Sequence, residues 1–162
     1  MTKSRWSDNN DKSTKRILII DDEPDVTLVL KQVLEANGFE TDSYEHPSLA
    51  LKNFRANMYD LLLLDIKMPD INGLDLYQEM RKIDDKVKVC FLTASEMYSE
   101  KFRKEESYGK FDKELFIAKP IENEELLDHL NKVINIQTNL KEKRQKLRYD
   151  FRQFDTIILN YY

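Results

Sequence analysis

The 162-residue sequence holds a single cysteine, Cys90. No intrachain disulfide can form, which points to a reducing compartment. Cys90 lies inside VKVCFL, where a small buried residue is expected. Three glycines and four prolines are too few for a loop-rich or low-complexity protein. No G-x-G-x-x-G follows the first apolar run, which continues as DDEPDV, so a dinucleotide-binding turn is excluded. No apolar run approaches the roughly 18 residues of a membrane span, and no membrane insertion is expected. The leading MTKSRWSDNNDKSTK has no apolar segment for a signal peptide. A cytoplasmic location is the expectation.

What is present is charge, unevenly spread. The net charge is −4. Residues 1–15 carry +2, residues 136–162 carry +3, and the body between them carries −9. An acidic body argues against DNA binding there. The basic tail is left open to an acidic partner.

The hydrophobic pattern alternates from Arg16 onward. RILII reads as a strand. Pro24 suits the first turn of a helix, where its missing N–H costs nothing. Val26, Val29, Leu30, Val33 and Leu34 follow at helical spacing until Asn37-Gly38. FETDSY alternates weakly as a second strand, and Leu49, Ala50, Phe54 and Met58 mark a second helix. DLLLL is apolar throughout, as a strand buried on both faces should be. Leu74, Tyr77 and Met80 mark a third helix after the turn MPDING. VKVCFL is the fourth strand, residues 96–108 a charged fourth helix, LFIA the fifth strand, and Glu122 begins a fifth helix. Strands alternating with helices predict an α/β fold, a five-stranded doubly wound parallel sheet. Residues 1–15, polar and aperiodic, read as a disordered leader.

Four strand ends then carry the chemistry. Asp21 and Asp22 follow the first strand, Asp65 the third, Thr93 ends the fourth, and Lys119-Pro120 follow the fifth. In an open parallel sheet these ends share the carboxyl edge, where ligands bind. Three carboxylates crowded together resist full ionisation. A hard divalent cation with a preference for oxygen relieves that. Plainer roles exist for each residue. Asp21 or Asp22 could cap the helix near Pro24, Lys119 could be solvated, and Phe116 could be ordinary core.

These residues fall in IIDDEP, LLLLDIKMPDINGLDL, FLTA, Phe116 and AKP. In this order they resemble the receiver domain of two-component response regulators, a flavodoxin-like (βα)5 fold. The resemblance covers residues 16–135, and the D-x-x-M-P-x-x-x-G stretch around Asp65 is its most specific part. It implies that Asp65 accepts a phosphoryl group from a sensor histidine kinase or phosphotransfer protein. It implies Mg²⁺ (or Mn²⁺) held by Asp22, Asp65 and the backbone carbonyl of Lys67, with Asp21 holding one of its waters. Lys119 and Thr93 would each meet a phosphoryl oxygen. Thr93 and Phe116 would move together as a switch, and a cis bond before Pro120 would aim Lys119. Lys67 and Ser95 sit where the family tunes phosphate lifetime. The stretch from Ser95 to Ala118 is longer than usual and lacks the Gly-Ala pair that commonly precedes the fifth strand.

The resemblance makes the protein a self-phosphorylating phosphoacceptor rather than an enzyme. An aspartyl-phosphate phosphohydrolase is disfavoured, because that class needs a second acid where Lys67 stands. The alternative is a receiver-fold adaptor that is not phosphorylated. The 27 residues from Ile136 are too few for a DNA-binding or catalytic output domain, so a stand-alone receiver is expected.

The tail has its own pattern. From Leu126 and Leu130 through Val133, Gln137, Leu140, Arg144, Leu147, Phe151, Phe154 and Ile158 to Tyr161, residues recur at steps of three and four. That is a heptad register. The expectation is a helical extension over 136–162 that continues the fifth helix, a rod of about 60 Å from Glu122. It would serve a homodimer or pair with another helix. In a parallel homodimer Lys143 would face Arg148 and Asp150 would face Asp155, which favours an antiparallel or heteromeric pairing. A shorter helix folded back on the body is the competing reading.

Overall fold

The protein is described as a computed structural model over residues 14–94 and 111–135. The strands are β1 (Arg16–Ile20), β2 (Glu40–Tyr44), β3 (Leu61–Asp65), β4 (Lys88–Thr93) and β5 (Phe116–Ala118). The helices among the described residues are α1 (Pro24–Ala36), α2 (Pro47–Asn53), α3 (Gly73–Ile83) and α4 (123–135). The last of these begins where the sequence places its fifth helix. The expected helix over 96–108, residues 1–13 of the leader and the extension over 136–162 lie outside the described residues.

All strand pairs are parallel, in the order β2-β1-β3-β4-β5. β3 is therefore central, and LLLLD is buried along its whole length. Side chains alternate across a strand, and the core divides accordingly. Ile17, Ile19, Leu61, Leu63, Cys90 and Leu92 pack with Leu30 and Leu34 of α1 and Leu126 and Leu130 of α4. Leu18, Ile20, Leu62, Leu64 and Phe91 pack with Ala50 of α2 and Leu74 and Met80 of α3. Two filled faces make the sheet doubly wound.

Two helix expectations need correction. α2 ends at Asn53, with Phe54 in an extended conformation, so Met58 lies beyond it. The chain reverses through Asn57, at a φ of 64°, to start β3. Arg55 seals the end of α2 by donating to the carbonyls of Lys52 and Phe54. In α1, Val29 is 53% exposed and Thr27 takes the buried position instead. Its hydroxyl donates to Pro24 O at 2.8 Å, which satisfies the polar group locally.

The amino edge of the sheet carries its own acids. Asp60 accepts from Arg16 N at 2.9 Å. Asp42 accepts from Tyr59 Oη at 2.7 Å and from the Arg16 guanidinium at 3.4 Å. Buried Asp84 accepts from the backbone N–H groups of Asn57 and Lys86, each at 3.0 Å. Burial and the Asp42 hydrogen bond push the Tyr59 phenol well above its usual range.

Candidate functional site

Strand register builds the site. Ile20 pairs with Leu64, so Asp21 and Asp65 come one step later in the same row. Asp65 is also level with Leu92, and Thr93 is level with Ala118. Thr93 and Lys119 therefore follow in the next rows of the same edge. Asp21 and Asp65 are 0% and 4% exposed, and Asp22 is half-buried. One carboxylate oxygen from each of the three lies within 4.8 Å of the others.

Lys119 reaches into this group. Its Nζ donates to Asp21 Oδ2 at 2.6 Å and sits 3.6 Å from Asp65 Oδ1. Asp21 Oδ1 accepts from Glu23 N at 3.0 Å. Neither Asp21 nor Asp22 caps α1; Glu23 takes that position without a side-chain bond. Its carbonyl accepts from Val26 and Thr27. Lys119 N donates to Thr93 O at 2.7 Å, tying the two strand ends together. The Lys119-Pro120 bond is cis, and Thr93 is buried.

The loop after β3 holds Asp65 from below. Met68 is buried against the core while the Lys67 side chain is exposed. Asp70 adopts a φ of 69°, which turns the chain back. Asn72 Oδ1 accepts from Asp75 N at 2.9 Å and caps α3. Gly73 N donates to Ile66 O at 2.9 Å. A Cβ on Gly73 would lie 2.2 Å from the Asp65 carbonyl oxygen, so only glycine fits this close approach. The sequence places Gly73 at the end of the MPDING turn and of the D-x-x-M-P-x-x-x-G stretch but gives no sign of this contact.

The electrostatics follow from the crowding. Burial, then the Asp21 charge, push the Asp65 carboxyl up to about 6, against the opposing pull of Lys119. For Lys119, burial pulls the ammonium down. The Asp21 hydrogen bond and the Asp21 and Asp65 charges outweigh it, and the direction is upward. Three acids against one ammonium leave the site short of positive charge. Among the described residues this is the one cluster of acids, histidines or cysteines suited to a metal. Its donors are all carboxylate oxygens, which fits a hard divalent cation.

Phe116 opens β5 half-buried. Its ring stacks on Phe91 at 5.3 Å between centroids.

A cluster of three carboxylates at the carboxyl edge of a 2-1-3-4-5 parallel sheet, with a lysine laid across it, defines a flavodoxin-like α/β protein with an acidic site suited to a hard cation. The response regulator receiver domain matches residues 17–131, and the chain belongs to that family. It is 30% identical over 134 residues to sporulation initiation phosphotransferase F of Bacillus subtilis, covering 77% of this chain and 98% of that protein. It is 29% identical over 132 residues to the transcriptional regulatory protein RprY of Bacteroides fragilis, covering 82% of this chain but 54% of RprY. The chain thus spans about half the length of that relative. Among solved structures it is similar to the response regulator TrrA of Thermotoga maritima in complex with Mg²⁺-BeF. That match has 38% identity and a TM-score of 0.63, and covers 74% of this chain and 99% of TrrA. TrrA is also solved in complex with the histidine kinase ThkA, with 36% identity, a TM-score of 0.61, and coverage of 74% and 98%. No described helix is long and apolar enough to cross a membrane.

Proposed function

We propose that the protein is a phosphoacceptor module in which Asp65 takes a phosphoryl group from the phosphohistidine of a sensor kinase or phosphotransfer protein. The observation that carries this reading is Asp65 itself, a buried nucleophile on the central strand with two carboxylates and the Lys119 ammonium gathered around it. The solved TrrA complexes with Mg²⁺-BeF and with a histidine kinase support it.

In the transfer, an Asp65 carboxylate oxygen attacks phosphorus, the bond to the donor nitrogen breaks, and an acyl phosphate forms. Asp22, Asp65 and the Lys67 carbonyl would hold Mg²⁺, with Asp21 on one of its waters. When bound, the ion supplies positive charge for the transferring oxygens. Lys119 turns from Asp21 towards a phosphoryl oxygen, which its 3.6 Å distance from Asp65 allows. The Thr93 hydroxyl donates to another oxygen. That contact exists only with phosphate present, so it biases the end of β4 and with it Phe116.

The consequence leaves through protein contacts. Residues 136–162 are read as a helical dimerisation or docking element and 1–15 as a leader. A chain ending at Asn135 should lose the oligomeric state or partner binding of the full chain, measured by light scattering and pull-down. Unchanged behaviour would remove the tail from the reading.

The decisive experiment uses a small phosphodonor with Mg²⁺. Wild-type protein should gain hydroxylamine-sensitive acyl phosphate. Asp65→Asn, or wild type with EDTA, should gain at least 100-fold less. No label on folded wild type would overturn the phosphoacceptor reading and leave the unphosphorylated adaptor.

A further inference from the structure

FDKELF places two phenylalanines, Phe111 and Phe116, on either side of a short 3₁₀ turn, Lys113–Leu115. Leu115 N donates to Asp112 O at 3.0 Å, and the turn folds both rings onto one target. That target is Phe91, fully buried, two residues before Thr93 on β4 and so on the same face of the strand. Phe91 is also the register partner of Phe116.

The rings meet in a defined way. Phe91, Phe111 and Tyr77 form a closed triangle. Phe91 meets Phe111 at 5.4 Å and 74°, Tyr77 meets Phe91 at 5.7 Å and 81°, and Tyr77 meets Phe111 at 5.8 Å and 53°. The first two pairs are edge-to-face, an arrangement that aromatic quadrupoles favour beyond simple burial. Phe116 stacks on Phe91 at 5.3 Å and 29°. It is only half-buried. Phe91 is thus steadied from Tyr77 and Phe111 while its face receives Phe116. Tyr77 and Leu115 also line a cavity of about 310 Å³, so space for a ring to shift lies beside the triangle.

We infer that Phe111 is a positioning residue for the switch. By bracing Phe91 it sets how long Phe116 stays stacked on that ring, two residues before Thr93. The inference rests on the reading of Phe116 as the ring that responds to phosphorylation. It adds a residue that the strand ends alone do not point to. The requirement is for a ring at position 111 rather than for apolar volume, because a saturated side chain cannot form the edge-to-face pair with Phe91.

The test follows the Phe116 ring by NMR in full-length protein labelled at phenylalanine, with Phe116→Leu to assign it. Wild type, Phe111→Leu and Phe111→Tyr are compared with and without Mg²⁺ and beryllofluoride. In unliganded Phe111→Leu the Phe116 signals should lose the Phe91 ring-current shift, with a threefold or larger rise in the unstacked population. Phe111→Tyr should keep the wild-type signals. Circular dichroism checks folding, and Phe111→Met replaces Phe111→Leu if the latter does not fold. A wild-type Phe116 that does not respond to beryllofluoride overturns the switch reading. A responsive Phe116 whose unliganded signals are the same in wild type and Phe111→Leu overturns the role of Phe111.

Discussion

The two edges of the sheet are both lined with aspartates, yet they are built on opposite terms. At the amino edge, Asp60 and Asp84, joined by Asp42 from the middle of β2, accept from Tyr59, Arg16 and backbone N–H groups. Each acid there fastens one piece of chain to another. At the carboxyl edge, Asp21, Asp22 and Asp65 converge on each other with Lys119 among them. Those acids meet more like charge than opposite charge; burial first, and then the Asp21 charge, pushes Asp65 up to about 6. The difference teaches how to read a carboxylate at the edge of a sheet. One that is fully hydrogen-bonded is part of the scaffold. One held among its own kind offers its oxygens to a hard cation.

The comparison can be broken most severely at Gly73. With its Cβ 2.2 Å from Asp65 O, Gly73→Ala must move backbone. It should cost roughly 3 kcal/mol or more of stability and cut phosphodonor labelling of the folded fraction at least tenfold. Urea denaturation and acyl-phosphate yield measure the two effects. Normal labelling would mean that the loop can shift without moving Asp65.

Asp84→Ala tests the amino edge. It strands the N–H groups of Asn57 and Lys86, so it should cost about 2 to 3 kcal/mol in urea. Labelling of the folded protein should stay within twofold of wild type. A labelling defect larger than that would merge the two edges into one unit.

Asp65→Asn should do the reverse and stabilise. In metal-free buffer the folded Asp65 titrates near 6 and an unfolded aspartate near 3.9. Between those values the folded state binds more protons, so Asp65 subtracts stability as pH rises through that window. Asp65→Asn should therefore be more stable than wild type at pH 7.5, by up to about 3 kcal/mol. The gain should vanish below about pH 4. Thermal melts across pH measure it, and a loss of stability at pH 7.5 would put Asp65 with the scaffold acids.

The smallest effect belongs to Tyr59→Phe, which removes one hydrogen bond to a half-exposed Asp42. Roughly 1 kcal/mol or less should be lost. A much larger loss in urea denaturation would show that the phenol organises the whole amino edge.

How much of this was legible in the sequence depended on distance along the chain. β3 and Asp65 were plain because LLLL is long enough for a buried strand and ends in a charge that a core does not accept. β2 was faint because it is an edge strand, half exposed and correspondingly mixed. The end of α2 is hidden in the sequence because Met58 falls four residues after Phe54 and keeps helical spacing past the point where the chain turns. Apolar character points Val29 inward, but the α1 geometry turns Thr27 inward and lets Pro24 O satisfy it. At the site, residue types and order gave Asp21, Asp22, Asp65, Thr93 and Lys119. The Gly73 approach and the Asp84 staple joining Asn57 to Lys86 were invisible. Each depends on backbone positions that meet only once the sheet has formed. The ring triangle is of the same kind, since Tyr77, Phe91 and Phe111 belong to three separate stretches.

Cys90 lies in the middle of β4, wholly buried, and burial pushes its thiol up to about 12. A thiol that stays protonated and covered does not react with alkylating reagents. The chain therefore carries a built-in clock for its own opening. The rate at which a thiol reagent modifies Cys90 reports how often the strand that connects Lys88 to Thr93 comes loose. Any ligand that tightens the carboxyl edge should slow that clock.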